Sequence, residues 1–282
     1  MAETLIGLGY VLLLMTVFSN LFRTPFEIGK NRCPLPAIRI SQASVFIALI
    51  SFALYTFLGH LSFKLHESVF HVEVDEMTKR LVCGTVTYIC VLALVIFIIK
   101  KESLTEFLIQ DFDHLTNKIF SAIGCGLVGF FVMAPLVVIS MKLTTLLIES
   151  VTHRSIAQEI GSQYLVRHYS DINSIFKKCL SWINLILLAP MVEEIVFRFL
   201  LYRFLRWRMV PWAAMLISSM VFSSMHDGPR ALFPLFIMGL SLVFIYDRFG
   251  NILVPMVTHA LFNAFSIIFL IPSITTDNFN GI

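Results

Sequence analysis

The feature that most constrains this chain is the recurrence of apolar stretches about twenty residues long, the length an α-helix needs to cross a bilayer. Eight of them fall at roughly 4–22, 43–63, 81–99, 119–141, 180–202, 210–226, 231–247 and 252–271. Charged or turn-forming residues separate them, among them Asp-Gly-Pro at 227–229 and Gly-Asn at 250–251. Of the 282 residues, 57% are hydrophobic and 14% are charged. A soluble domain carries about a quarter charged residues, so the apolar excess needs a solvent other than water. The expected fold class is an all-α membrane protein, a bundle of about eight transmembrane helices. The first stretch, Leu5 to Leu21, has no basic residue before it and no small-residue cleavage site after it. It reads as a membrane helix rather than a signal peptide.

The expected organisation is four N-terminal membrane helices over 1–150, a polar linker over 151–179, a core of four helices over 180–271 and a polar tail over 272–282. The 148–178 segment has room for a short amphipathic helix lying at the interface. Counting Lys and Arg in alternate loops tests orientation. Eleven, including Arg39, Arg203, Arg206, Arg208 and Arg248, fall on one side and eight on the other, which favours both termini outside by a small margin. The expected location is integral and multi-pass, in a cell membrane or, in a eukaryote, the endoplasmic reticulum. The net charge of +3 and the lack of a basic stripe interleaved with aromatics exclude nucleic acid as a natural partner. The bilayer is the expected partner. Cys33, Cys83, Cys90, Cys125 and Cys179 form no CxxC pair, so neither a disulfide framework nor a cysteine metal site is indicated.

Ionisable residues are distributed unevenly. The N-terminal spans hold almost none, with His60 and Lys142 near span ends. In the C-terminal half, Glu193, Glu194 and Arg198 share one span, His226 ends the next, and His259 with Asn263 lies in the last. Each ionised group at the bilayer centre costs about 2.5–3.5 kcal/mol on insertion scales, so such groups mark functional sites by default. Glu194 and Arg198 are four apart with the acid first, the favourable order for a helical ion pair. Glu193 is rotated about 100° from Glu194, so that pair need not consume it. Pro190 either starts a helical segment or kinks the span, and a kink would make room for water near Glu193. His259 and Asn263, also four apart, present an imidazole and an amide side by side.

These are the parts of a hydrolytic site. A desolvated carboxylate beside an imidazole can be held in the range useful for a general base. Glu193 with His226 can then polarise a water, while His259 and Asn263 donate to the oxyanion that forms. Ser223 and Ser224 beside His226 read as small polar residues at a helix interface rather than as nucleophiles, and Phe222 as packing.

In order, the motifs are Glu193-Glu194-Ile-Val-Phe-Arg198, Phe222-Ser-Ser-Met-His226 and His259-Ala-Leu-Phe-Asn263. This resembles the EExxxR, FxxxH and HxxxN signature of the CAAX protease and bacteriocin-processing (Abi) family. The resemblance covers about 180–271, with a similar basic-glycine connection at 246–251. It implies an eight-helix bundle with an intramembrane catalytic cavity. It also implies Glu193 as catalytic carboxylate, His226 as its water-positioning partner, His259 and Asn263 as oxyanion donors, and Glu194 and Arg198 as structural support. The substrate implied is a membrane-associated peptide or protein, whether a CAAX-type tail or a bacterial leader peptide. No cofactor is expected; zinc is possible but not favoured, since no HExxH helix is present. Two other functions compete: a proton-coupled carrier, because buried Glu and His also build proton relays, and a catalytically silent scaffold or immunity protein.

Overall fold

The computed structural model describes residues 39–54, 76–108, 119–152, 174–226 and 231–270. The expected first span, His60 and the Asp-Gly-Pro connection lie outside them. Among the described residues every regular element is helical: α1 (Gln42–Leu54), α2 (Glu76–Lys101), α3 (Ile119–Thr152), α4 (175–208), α5 (Pro211–Ser224), α6 (Leu232–Phe249) and α7 (Leu253–Phe265). Three stretches are long and apolar enough to cross a membrane: Leu81–Lys101, Phe120–Val151 and Leu232–Phe249. Their outer faces leave large apolar side chains uncovered, with Phe97 62% and Phe131 70% exposed. Water is a poor solvent for such faces, whereas lipid tails are a good one.

Several helices outrun their expected bounds, α3 and α4 by the most. The α3 helix continues eleven residues past 141, to Thr152, so Lys142 lies well inside it. The polar residues of this extension do not break the helix, because their hydroxyls bond back to it. Thr144 Oγ1 donates to Ser140 O at 2.8 Å and Thr145 Oγ1 to Met141 O at 3.0 Å. The α4 helix runs from Ile175 to Arg208 rather than over 180–202. Arg203, counted above as a loop charge, is therefore helical and 1% exposed. Its guanidinium lies over the rings of Phe199 and Tyr246, at 5.0 and 5.5 Å, which supply the cation–π attraction that burial requires. Removing Arg203 from the loop count narrows an already small margin. The two α4 and α3 extensions also occupy both ends of the 148–178 segment; 153–173 lies outside the described residues.

The α3, α6 and α7 helices form one packed group, with α5 against α6. At the α3–α7 seam a Cβ on Gly126 would stand 2.6 Å from Val257 Cγ1, and one on Gly129 would stand 2.6 Å from Thr258 Oγ1 and 3.0 Å from Ile245 Cδ1. Small residues let membrane helices approach closely. Here they allow Thr258 Oγ1 to donate to Gly126 O at 3.0 Å. Thr258 immediately precedes His259, so this seam sets the height and rotation of an expected site residue. Gly129→Val is expected to cost about 1–3 kcal/mol by overpacking and to lower activity with it. Unchanged unfolding in detergent would show that the seam is looser than described.

The α1 helix packs into the same core as α4, with Phe52 edge-on to Phe197 at 5.1 Å. Glu102, just after α2, caps the start of α1. Its Oε1 accepts from Ser41 Oγ at 2.6 Å and Ser44 Oγ at 2.5 Å, and its Oε2 from Ser41 N at 3.3 Å. Burial alone would raise this carboxyl, but the two serine hydroxyls, the Ser41 N–H and nearby Lys101 outweigh it and hold Glu102 below the ordinary carboxylate value. A depressed folded value means that the cap contributes fully above the unfolded value of about 4.3. Its contribution fades as pH falls through the lower folded value. Glu102→Gln should flatten that acid limb in thermal unfolding; an identical acid limb would rule the cap out.

Candidate active site

The α4 helix is not a uniform α-helix. It is α over Ile175–Trp182, π over Ile183–Leu188, α over Ala189–Glu194, π over Ile195–Tyr202 and α again over Arg203–Arg208. The first wide turn has a local cause. The Ala189 N–H reaches back five residues to Asn184 O, and the next donor in that pattern would be Pro190, which has no N–H. The carbonyl left over is Leu185 O, and Asn263 Nδ2 of α7 donates to it at 2.8 Å. Asn184, fully buried, ties the same turn to α2: its Nδ2 donates to Leu81 O at 3.2 Å, and its Oδ1 accepts from Thr85 Oγ1 at 3.0 Å. At the second wide turn, Ser218 Oγ of α5 donates to Phe197 O at 3.1 Å. Both π turns are thus stitched to neighbouring helices, and the six α residues between them carry Glu193 and Glu194.

Sequence-predicted residues from α4, the end of α5 and α7 meet here in two ways. Glu194 Oε1 is shared by Arg198 Nη1 at 3.0 Å and His259 Nδ1 at 2.8 Å. Glu194, Arg198 and His259 are all buried. Glu193 Oε2 lies between the two imidazoles, 3.6 Å from His226 Nε2 and 3.8 Å from His259 Nε2. Glu193 is 2% exposed, and its Oε2 has no hydrogen-bond partner. A buried polar atom left unpaired costs about 1–3 kcal/mol, and the exceptions need an explanation. His226 Nδ1 is 2.8 Å from Phe222 O; a carbonyl only accepts, so that nitrogen carries the hydrogen. Asn263, half-buried on α7, spends one of its two amide hydrogens on Leu185 O.

Phe222 does more than fill space. Its ring lies under the Arg198 guanidinium at 4.4 Å, beside the His226 ring at 4.6 Å, and edge-on to Phe197 at 5.2 Å. The ring thus makes one wall for both the ion pair and an imidazole. A Cβ on Gly239 of α6 would press on it at 3.0 Å, which keeps α6 close behind. The hydroxyls of Ser223 and Ser224 donate to Met220 O and Val221 O of their own helix, at 3.0 and 2.9 Å, as interface serines do.

Sequence reasoning missed Asn184, Thr85 and Ser218, which position α4. The polar Asn184 inside an apolar run was the available signal. It also missed a second ionic cluster, where Tyr202 Oη donates to Asp247 Oδ1 at 2.5 Å and Arg206 faces the same oxygen at 3.6 Å. Among the described residues no group of three or more His, Cys, Asp or Glu is placed to hold a metal ion.

Residues 175–265 match the family described as type II CAAX prenyl endopeptidase, Rce1-like. No curated protein and no solved structure matches the chain. The matched stretch runs from the first residue of α4 to the last of α7, so it takes in Glu193, Glu194, Arg198, His226, His259 and Asn263. Through this core, about a third of its length, the chain is similar to the CAAX protease family.

Proposed function

We propose that the protein is an intramembrane endopeptidase in which Glu193 activates water against a peptide bond of a membrane-associated substrate. The observation that carries this reading is the buried Glu193 Oε2, which lies between two imidazole Nε2 atoms at 3.6 and 3.8 Å. Both Nδ1 atoms are already engaged, His226 with Phe222 O and His259 with the Glu194 carboxylate. In a neutral imidazole, each Nε2 would then offer only a lone pair. Glu193, Glu194 and Arg198 together leave one net negative charge. To donate from Nε2, His259 must carry hydrogens on both ring nitrogens, and the Glu194 carboxylate, 2.8 Å from Nδ1, accepts one of them.

The reaction follows from that arrangement. His226 Nε2 accepts a hydrogen from the water and orients it. Glu193 Oε2 takes the other proton as the water oxygen bonds to the carbonyl carbon. The developing oxyanion accepts hydrogen bonds from His259 Nε2–H and from the second Asn263 amide hydrogen. Collapse breaks the C–N bond, and Glu193 returns its proton to the leaving amine. These residues complete the step without a metal ion. CAAX-type tails and leader-like peptides are the substrate classes this reading names.

The test is cleavage of membrane peptides by cells or vesicles carrying the native chain and Glu193→Gln, compared by mass spectrometry. Products present with the first and lost with a folded second support the peptidase. Equal product profiles would instead favour a silent scaffold. A pH-dependent flux sensitive to Glu193→Gln, with no cleavage product, would favour a proton-coupled carrier.

A further inference from the structure

At the end of the bundle where α4 stops and α1 begins, two arginines share one indole. Arg39 Cζ stands 5.6 Å and Arg208 Cζ 4.8 Å from the Trp207 ring, and Arg208 also lies over Phe204 at 3.8 Å. Aromatic faces attract cations, but they bring no counter-charge, and the two guanidinium groups repel each other. Two carboxylates near this end already have other partners. Glu102 accepts from Ser41 and Ser44, and Asp247 is held by Tyr202 and Arg206. Arg208 Nη1 is buried with no hydrogen-bond partner. Further cations gather at the same end: Lys100 and Lys101 close α2, and Arg248 lies in the last turn of α6.

We infer that Arg39 and Arg208, framed by Trp207, bind the phosphate of an anionic phospholipid headgroup. A guanidinium offers a planar fork of N–H donors that matches phosphate oxygens, which supplies the acceptor Arg208 lacks. A lipid suits the place better than free phosphate. Trp212, 66% exposed at the start of α5, lies a few residues from Trp207, and indoles gather at headgroup level in membranes. Apolar side chains uncovered along the helices below, such as Phe97 and Phe244, give acyl chains a surface that inorganic phosphate cannot use. The cationic excess at this end further draws anionic lipid.

The experiment uses the full chain purified in neutral detergent, with bound lipid read by native mass spectrometry and stability by thermal unfolding. Phosphatidylglycerol, phosphatidylcholine and inorganic phosphate are titrated separately. The native chain should retain phosphatidylglycerol and gain stability from it, with little response to phosphatidylcholine. Arg39→Gln and Arg208→Gln should each weaken phosphatidylglycerol retention at least about tenfold, the loss of one charge-assisted contact. Arg248→Gln, which removes an equal charge from the same end, should leave retention within about twofold. Should a glutamine variant fail to fold, Arg39→Lys and Arg208→Lys keep the charge but lose the fork, and a clear loss of retention is still expected. Unchanged retention in a folded Arg39/Arg208 double variant overturns the site. An equal loss in Arg248→Gln overturns it too, by showing diffuse charge attraction. Stabilisation by phosphate that matches phosphatidylglycerol overturns the lipid assignment.

Discussion

Glu194→Ala is expected to destabilise the protein by about 3–5 kcal/mol, the cost of leaving a buried charge without its partner. Arg198 is 1% exposed and its contact with Glu194 is 3.0 Å, so water cannot take the carboxylate's place. The same change frees His259 Nδ1, and activity should fall even under conditions where the variant stays folded. A second variant separates the two effects. Glu194→Gln with Arg198→Met removes both charges, and stability should return toward native because an apolar pair can substitute for a buried ion pair. Activity should not return with it, because His259 Nδ1 loses the carboxylate that it faces. Denaturant unfolding of the single and double variants measures the first claim, and peptide cleavage the second. A fully stable Glu194→Ala protein would mean that Arg198 reaches solvent.

Glu193→Gln should behave in the opposite way. Cleavage is expected to fall by a factor of about 10²–10⁴, the usual contribution of a positioned general base. Stability should hold or rise, because the amide replaces a charged group whose Oε2 has no hydrogen-bond partner. Neighbouring acids on one short helical stretch would then have separate duties, one holding the fold and the other doing the chemistry. Cleavage within tenfold of native would remove Glu193 from the mechanism. A stability loss as large as that of Glu194→Ala would make it structural.

The placement of the two acids was legible in the sequence in outline. A four-residue spacing paired Glu194 with Arg198, and the 3.0 Å contact has that geometry. The cost of charge in lipid singled out Glu193, His226 and His259, and the structure brings these three side chains together. The link from Glu194 to His259 was not legible, because it crosses 65 residues and depends on how α7 docks against α4. Arg203 was misread as a loop residue because hydropathy scores its charge and not the two aromatic rings that cover it. The extension of α3 was missed for a related reason: serine and threonine look like breakers in sequence, but inside a helix their hydroxyls are satisfied by the preceding turn. The use of Asn263 on Leu185 O had no sequence signal apart from Pro190, whose missing N–H matters only once the turn is known to be wide.

The wide turns of α4 change what residue spacing means. Each takes up more chain per revolution than an α turn, so the side chains before, between and after them point in three unrelated sets of directions. A single helical wheel drawn through 175–208 therefore superimposes three wheels out of phase. Over Ile195–Tyr202 every side chain is buried, and no apolar stripe remains to read. Shortening the chain by one residue within Ile183–Leu188 could leave a continuous, still apolar rod. Glu193 would then sit on a different side of that rod from the one that now faces the two imidazoles.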